Sequence, residues 1–555
     1  MFKKVRFIIL GIALAGGVVL TSAVSDNYFE ISKNLDIFTN VYKQLNIYYV
    51  EDTKPGELMK TSIDAMLRSL DPYTVYYPES DIEDYRFLTT GQYGGIGSLI
   101  RKKGEHIVIA EPYEGFPAYK ADLHAGDIIL SIDGKDAVGK STNEISQMLK
   151  GQAKTKLVLS IDRNGETFEK ELERETIKIK DVPYFGEIAP RVGYIKLNGF
   201  TETASKELSA AYKSLKSDEQ IDKLIIDLRG NGGGLLNEAV NIVNFFVERG
   251  QEVVHTKGKL KEWDRSHKAL NAPMDLEIPM VVLIDGGSAS ASEIVSGALQ
   301  DLDRAVIVGE RSFGKGLVQQ TKPLSYNSQL KVTVAKYYIP SGRCIQELDY
   351  GNKKNGKAQV VADSLLKPFY TKNKRPVLEG HGIRPDVQVD LPEGAHVTIS
   401  LIQNNHIFDY ATKYFYSHDS IINPKEFRLT DAEYEDFIKF LDGKDYDYET
   451  NSQKLLSRLK KASKEEKYYE KLEDSFTAMD QKLANNKRND LDLHKEEIKS
   501  ILENEIVSRY YFQSGRVENQ LAKDKRLLKA VELLNDSKEY NSILTFVPKK
   551  KMGKN

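Results

Sequence analysis

The chain has 555 residues, too many for a single core, so three or four domains are expected. Lys and Arg number 79 against 81 Asp and Glu, a net charge of −2 that gives no reason to expect nucleic acid as a partner. The lone cysteine, Cys344, excludes an intramolecular disulfide framework and a cysteine-rich metal site, and 9 scattered histidines without an HExxH pattern argue against a catalytic metal.

Lys3, Lys4 and Arg6 precede an apolar stretch from about Phe7 to Val24, the pattern of an export signal. Ala23-Val24-Ser25 has small residues suited to cleavage after Ser25. The stretch also approaches the ~20 apolar residues that span a bilayer, so residues 1–25 read as a signal peptide or a retained membrane anchor. A buried core helix would have no use for the basic flank. No cysteine is near, which excludes a lipid anchor. Residues 26–88 follow as a helical region. Leu35, Ile37, Phe38, Val41, Tyr42 and Leu45, then Leu58, Ile63, Met66 and Leu67, fit an amphipathic stripe that Leu70-Asp71-Pro72 ends.

Residues 89–165 have the texture of short strands and tight turns. A glycine-rich turn runs from Gly91 to Gly97, strands are expected at His106 to Ala110, within Ala125 to Gly134 and at Lys156 to Asp162, and a short helix at Ser141 to Leu149. Residues 166–395 alternate strands and helices, the pattern of an α/β core. Its strands are Val192 to Leu197, Lys223 to Leu228, Met280 to Ile284 and Ala305 to Val308, and its helices Thr203 to Ser214, Leu236 to Val247 and Ser290 to Leu302. Residues 396–555 are rich in Lys, Glu, Asp and Tyr, with stripes such as Leu455, Leu456 and Leu459. They read as a charged helical appendage ending in Lys549, Lys550, Lys551 and Lys554, a solvated tail rather than a membrane-binding one.

Three segments carry chemistry. From Val281 to Ile294 a buried strand passes through small residues into a helix, and a serine at that junction meets exposed N–H groups and the positive end of the helix dipole. Ser290-Ala291-Ser292-Glu293 is equally a capping box, with Ser290 as N-cap. Lys315, flanked by Gly314 and Gly316, suits a side chain held close to another backbone; burial beside a serine would depress its pKa and make it a base. Gly309, Gly314 and Lys315 also have the spacing of a phosphate-binding loop, but position 316 lacks the hydroxyl for magnesium, and Leu317 to Thr321 reads as a strand instead of a helix. Asp227-Leu228-Arg229-Gly230-Asn231-Gly232-Gly233-Gly234 can turn backbone N–H groups toward an oxyanion, or be a flexible turn.

Together these segments resemble the carboxy-terminal processing peptidases, or tail-specific proteases, which couple a PDZ domain to a serine–lysine protease core. The resemblance covers about residues 70 to 390 and includes Gly-Ser-Ala-Ser-Ala-Ser-Glu at 287–293, Gly-Lys-Gly at 314–316, Arg-Gly-Asn-Gly-Gly-Gly at 229–234, Pro340-Ser341-Gly342-Arg343 and Gly382-Ile383-Arg384-Pro385-Asp386. It implies Ser290 as nucleophile, Lys315 as base 315 − 290 = 25 residues on, and Gln319 orienting the lysine. It places the oxyanion hole at the N–H groups of Ala291 and Gly233 and leaves Asp301 as structural support. Ser288 and Ser292 are rival serines, disfavoured by the lysine spacing. Gly94-Gly95-Ile96-Gly97 would capture the terminal carboxylate of a protein with an apolar C-terminus. His124 stands where family members often carry an arginine that links peptide occupancy to activation.

The expected architecture is therefore a multidomain α/β chain: an N-terminal helical segment, a PDZ domain, a crotonase-like α/β serine protease core and a helical C-terminal appendage. The expected activity is a serine endopeptidase acting through an acyl-enzyme, without metal or cofactor. It would be exported to the periplasm, with membrane contact through the N-terminus if the signal stays uncleaved, and with a homo-oligomer or an adaptor left open. A catalytically silent PDZ scaffold and a nucleotide-binding regulator are the rival readings.

Overall fold

A computed structural model describes residues 28–361, 366–390, 394–483 and 487–545, so the expected signal at 1–25 and the terminal lysines lie outside the described residues. The chain divides into one unit up to Tyr76 and a second from Tyr77 onward. In the first, helix α1 (28–48) is followed by α2 (Pro55–Arg68). The Tyr42 hydroxyl donates to the Pro55 carbonyl at 2.9 Å and closes the turn between them. Asp71 then accepts from the N–H groups of Tyr73 and Thr74 and from the Thr74 hydroxyl, a local turn that ends the helical run beside Pro72.

In the second unit a short helix at Ile82–Thr90 leads into a strand module. Strands β1 (Gln92–Gly95), β2 (Ser98–Lys103), β3 (His106–Pro112) and β4 (Ile128–Ile132) precede helix α3 (Thr142–Leu149), which Ser141 and Glu144 start with a reciprocal capping box. Strands β5 (Lys156–Arg163), β6 (Glu166–Glu173) and β7 (Glu175–Lys178) complete it. β2 through β6 form an antiparallel sheet in chain order, and β7 pairs with β1. The module thus runs past residue 165, where the sequence pattern changes. β6 is a polar strand that brings only Leu172 and the half-buried Phe168 to the hydrophobic core, so its alternation is faint in sequence.

A six-stranded sheet follows, built from β8 (Tyr184–Ala189), β9 (Val192–Lys196), β10 (Lys223–Asp227), and later β13, β14 and β17. Between β9 and β10 lies α4 (Ala204–Ser217); after β10 come α5 (Leu236–Asn244), β11 (Glu252–Gly258) and β12 (Arg265–Lys268). Then follow β13 (Met280–Ile284), α6 (Ala291–Asp301), β14 (Val306–Gly309), β15 (Leu317–Pro323), β16 (Gln329–Tyr338) and β17 (Val387–Gln388). From β9 through β17 the pairing is parallel; β11, β12, β15 and β16 form a separate antiparallel sheet.

Alternate residues of the parallel strands enter two cores, as a sheet buried on both faces requires. Leu224, Ile226, Met280, Val282, Ile284 and Ile307 meet α4, α5 and α6 on one face. Ile225, Val281, Leu283, Val306 and Val308 meet Leu527, Ala530, Leu533, Leu534 and Tyr540 on the other. Those residues come from the far C-terminus. Besides a short helix at Lys487–Leu493, the charged C-terminal region comprises α7 (His396–Gln403), α8 (His406–Ser417), α9 (Asp431–Phe440), α10 (Asn451–Glu465), α11 (Tyr469–Leu483), α12 (Lys495–Leu521), α13 (Lys525–Asn535) and α14 (Ser537–Leu544). It is less of an appendage than its composition suggests. α7, α8, α9 and α12 share their own core, while α13 and α14 roof the protease-like sheet, and the Tyr540 hydroxyl bonds both the N–H and the carbonyl of Met280.

The helical region also holds the strand module. Arg516 pairs with Glu111 at 2.7 Å, Lys103 with Asp409 at 2.8 Å, and Phe408 sits between the guanidinium groups of Arg101 and Arg509. His124 packs edge-on against Phe415 and bonds Asp122 at 2.9 Å. Tyr119 meets Phe512, whose φ of 52° breaks α12.

Candidate active site

The register of the parallel sheet brings three loops to one edge. Asp227 lies beside Leu283, and Ile284 beside Gly309, so the chain leaves β10, β13 and β14 at the same level. Each of those exits carries one chemistry-bearing segment: 229–234, 287–290 and 310–316. Carboxyl ends of parallel strands are where such sheets place their sites.

Ser290 stands at the start of α6 with φ 58° and ψ −111°, a left-handed setting that a residue with a Cβ rarely takes. Two side-chain contacts hold its backbone. The Glu293 carboxylate accepts from Ser290 N–H at 2.8 Å, and the Tyr337 hydroxyl donates to the Ser290 carbonyl at 3.1 Å. Ser290 is half-buried, whereas Ser288 and Ser292 are fully buried with their hydroxyls committed to the carbonyls of Leu228 and Asn231.

Glu293 reaches further than a helix cap. Its fully buried carboxylate also accepts from the Ser312 hydroxyl at 2.6 Å, Gly314 N–H at 2.7 Å and Lys315 N–H at 2.9 Å. Burial pushes this carboxyl above the usual carboxylate range against the opposing pull of those donors. Lys315 itself is half-buried. The glycine after it is required by space: a Cβ on Gly316 would lie 2.9 Å from the Gln346 nitrogen. Gln319 follows on β15, where its side-chain nitrogen donates to the Thr333 hydroxyl at 3.3 Å.

The glycine loop closes on Ser290. A Cβ on Gly233, at φ 101°, would come within 2.7 Å of the Ala289 carbonyl and 2.8 Å of the Ser290 Cβ. Gly233 N–H donates to Asn231 Oδ1 at 2.9 Å, while among the described residues no acceptor is found for Ala291 N–H. Asn231 is buried and ties the loop down, through its carbonyl to Ala289 N–H and through its amide to Leu197. At the root of the loop, buried Asp227 meets Arg229, Lys196 and the Tyr194 hydroxyl. Burial opposes its ionisation, but Arg229 and Lys196 outweigh it and hold the carboxyl well below its usual range. Arg229 also pairs at 2.5 Å with Asp524, which caps α13, and Arg526 of the same helix pairs with Glu310 in the lysine loop.

Asp301 lies at the opposite end of α6 from Ser290. It is buried, accepts from Ser341 N–H and pairs at 2.9 Å with the buried Arg343, so it fastens the Pro340–Arg343 turn and stays away from the serine. In the strand module, the carbonyls of Ile96 and Gly97 accept from Ala118 and Tyr113, and among the described residues their N–H groups have no acceptor. Gly94 and Gly95 belong to β1, opposite Thr176 and Glu175 of β7. Beside this loop an open groove is lined by Ile96 and Ile100 on one side and Ser146, Leu149 and Lys150 on the other.

Sequence reasoning treated Glu293 as a cap and missed Tyr337, Asn231 and the Arg229–Asp524 pair. The capping pattern was the one available signal, for Glu293.

A family model for peptidase family S41 matches residues 191–351, one for the PDZ domain residues 108–163, and one for a probable PDZ-protease C-terminal helical domain residues 397–534. The chain is 38% identical over 353 residues to the carboxy-terminal-processing protease of Bartonella bacilliformis, covering 62% of this chain and 81% of that one. It is 33% identical over 378 residues to a probable CtpA-like serine protease of Staphylococcus aureus, covering 68% of each. Among solved structures it is similar to a photosystem II D1 C-terminal processing protease, at 28% identity and a TM-score of 0.35, over 64% of this chain and 92% of that one.

Proposed function

Because the chain belongs to the carboxy-terminal-processing serine proteases of peptidase family S41, with a PDZ domain and a helical C-terminal domain, we propose that Ser290 is its nucleophile and Lys315 the base that activates it. The observation that carries this reading is Glu293, whose one carboxylate accepts from the N–H of both residues and so fixes the two loops against each other. The commitment of the Ser288 and Ser292 hydroxyls to backbone carbonyls supports Ser290 over its neighbours.

In this mechanism neutral Lys315 takes the Ser290 proton as Oγ attacks the scissile carbonyl. The tetrahedral anion collapses to an acyl-enzyme, and the departing amine receives the proton from Lys315. Water, deprotonated by the same lysine, then releases the acyl fragment. Ala291 N–H faces the developing anion. Gly233 N–H joins it by exchanging Asn231 Oδ1 for the substrate oxygen, each donor contributing about 3 kcal/mol. Gln319 steadies the lysine from β15. Asp301 acts through the fold alone.

The Gly94–Gly97 loop and its apolar groove support capture of an apolar protein C-terminus, with the carboxylate on the N–H groups of Ile96 and Gly97. The basic and apolar N-terminal pattern supports export, with the periplasm as the compartment that the family resemblance suggests. Ile31, Leu35, Phe38 and Leu45, all exposed along α1, support self-association.

The test is cleavage of an unstructured protein with an apolar C-terminus by wild type, Ser290→Ala and Lys315→Ala. Both variants are expected to lose cleavage and keep binding the peptide tail. Cleavage by Ser290→Ala would move the nucleophile elsewhere, and a wild type that binds without cutting would favour the silent scaffold.

A further inference from the structure

Helices α10 and α11 form an antiparallel hairpin. Gln453 at the start of α10 donates to the Leu483 carbonyl at the end of α11, and Lys460 pairs with Asp480 between them. Within the two helices only Leu456, Ser463 and Phe476 are buried among the described residues. Yet Leu455, Leu459, Leu472 and Met479 are 62%, 51%, 38% and 49% exposed. A merely solvated hairpin has no use for these.

Successive residues turn by roughly 100° around a helix. With Leu456 and Phe476 pointing inward, Leu455 and Leu459 of α10 and Leu472 and Met479 of α11 fall on the same side of the hairpin. Arg458, Lys471 and Lys482 fall on the outer flanks of that side. The Lys460–Asp480 pair marks the opposite side, where Glu470 and Glu473 also lie. The apolar side thus has a cationic rim, whereas the opposite side carries both signs, Lys460 and Lys464 beside Asp480, Glu470 and Glu473.

We propose that this face of the α10–α11 hairpin rests on an anionic phospholipid surface. Two helices side by side present a flat face, not the concave groove that receives a partner helix. Four side chains are too few for the roughly 1,200 Å² of a stable protein interface. They are enough for shallow, reversible insertion when Arg and Lys at the rim meet anionic headgroups and keep their charged ends in the interface. Contact by this hairpin is separate from any anchoring by residues 1–25, and it would hold the protease beside membrane-associated chains.

The experiment places an environment-sensitive fluorophore on the full chain at Met479→Cys and, separately, at Thr477→Cys on the opposite side; Cys344 is buried, and labelling of the unaltered chain reports any reaction there. Vesicles of phosphatidylcholine with phosphatidylglycerol are expected to shift the 479 probe to the blue and leave the 477 probe unchanged. Adding Arg458→Glu and Lys482→Glu should raise the lipid needed for half the shift by about tenfold or more. The proposal is overturned by a silent 479 probe, by equal responses at both positions, or by equal response to phosphatidylcholine alone. A shift that follows protein concentration without vesicles would overturn it in favour of a second copy covering the face.

Discussion

The hydroxyl of Tyr337 donates to the carbonyl oxygen of Ser290 across 3.1 Å, from a strand of the second sheet. Ser290 N–H is held by Glu293 of the helix it starts, so a strained residue is fixed both by its own helix and from the second sheet. Tyr337→Phe keeps the buried ring and removes this bond, at about 1 kcal/mol. The expected result is a kcat lower by roughly fivefold with KM little changed, read in acylation-burst kinetics.

Glu293→Gln sets an amide nitrogen against N–H donors where the carboxylate now accepts from Ser290, Ser312, Gly314 and Lys315. The two loops should lose their common register. A fall in kcat on the order of a hundredfold is expected, with a loss of about 3 kcal/mol in stability measured by denaturant unfolding. Unchanged activity would remove Glu293 from any positioning role.

Asp227 gives a pH prediction. Its folded-state pKa is depressed, because Arg229 and Lys196 outweigh its burial. Its contribution to stability is therefore complete above the unfolded value of about 3.9 and is lost as pH falls through the folded one. Asp227→Asn should cost about 3–5 kcal/mol at neutral pH by removing the buried carboxylate that Lys196 and Arg229 share, Arg229 keeping only Asp524. The difference from wild type should shrink when unfolding is measured below pH ~4.

The grip of the helical domain on the PDZ domain can be reversed by charge. Arg516→Glu would face Glu111 with a like charge in a buried setting. Amide exchange around Tyr119 and His124 should speed up. Adding Glu111→Arg should restore slow exchange, since the pair is then re-formed in the opposite sense.

Much of the candidate site was legible because its chemistry is local in sequence. Ser290 at a strand-to-helix junction, Lys315 between glycines, and the glycines after Asp227 each announce a backbone requirement within a few residues. The remaining parts depend on neighbours that sequence spacing does not reveal. Glu293 looked like a cap because one of its bonds is a cap bond, while its bonds to Gly314 and Lys315 come from a loop about twenty residues on. Tyr337 reads as an ordinary alternating strand residue. The C-terminal helices, whose stripes show that they pack but not against what, find their targets on strands made more than two hundred residues earlier.

That last distance sets an order of events during synthesis. The ribosome delivers Asp524, Arg526 and Tyr540 long after Ser290 and Lys315. Until they arrive, Val281, Leu283 and Val308 have no cover, Arg229 has no Asp524, and Glu310 has no Arg526. A nascent chain, or one truncated before α13, holds Ser290, Lys315 and Gln319 yet lacks the roof that braces their loops. The loops that carry Ser290 and Lys315 are therefore braced only after α13 has been made.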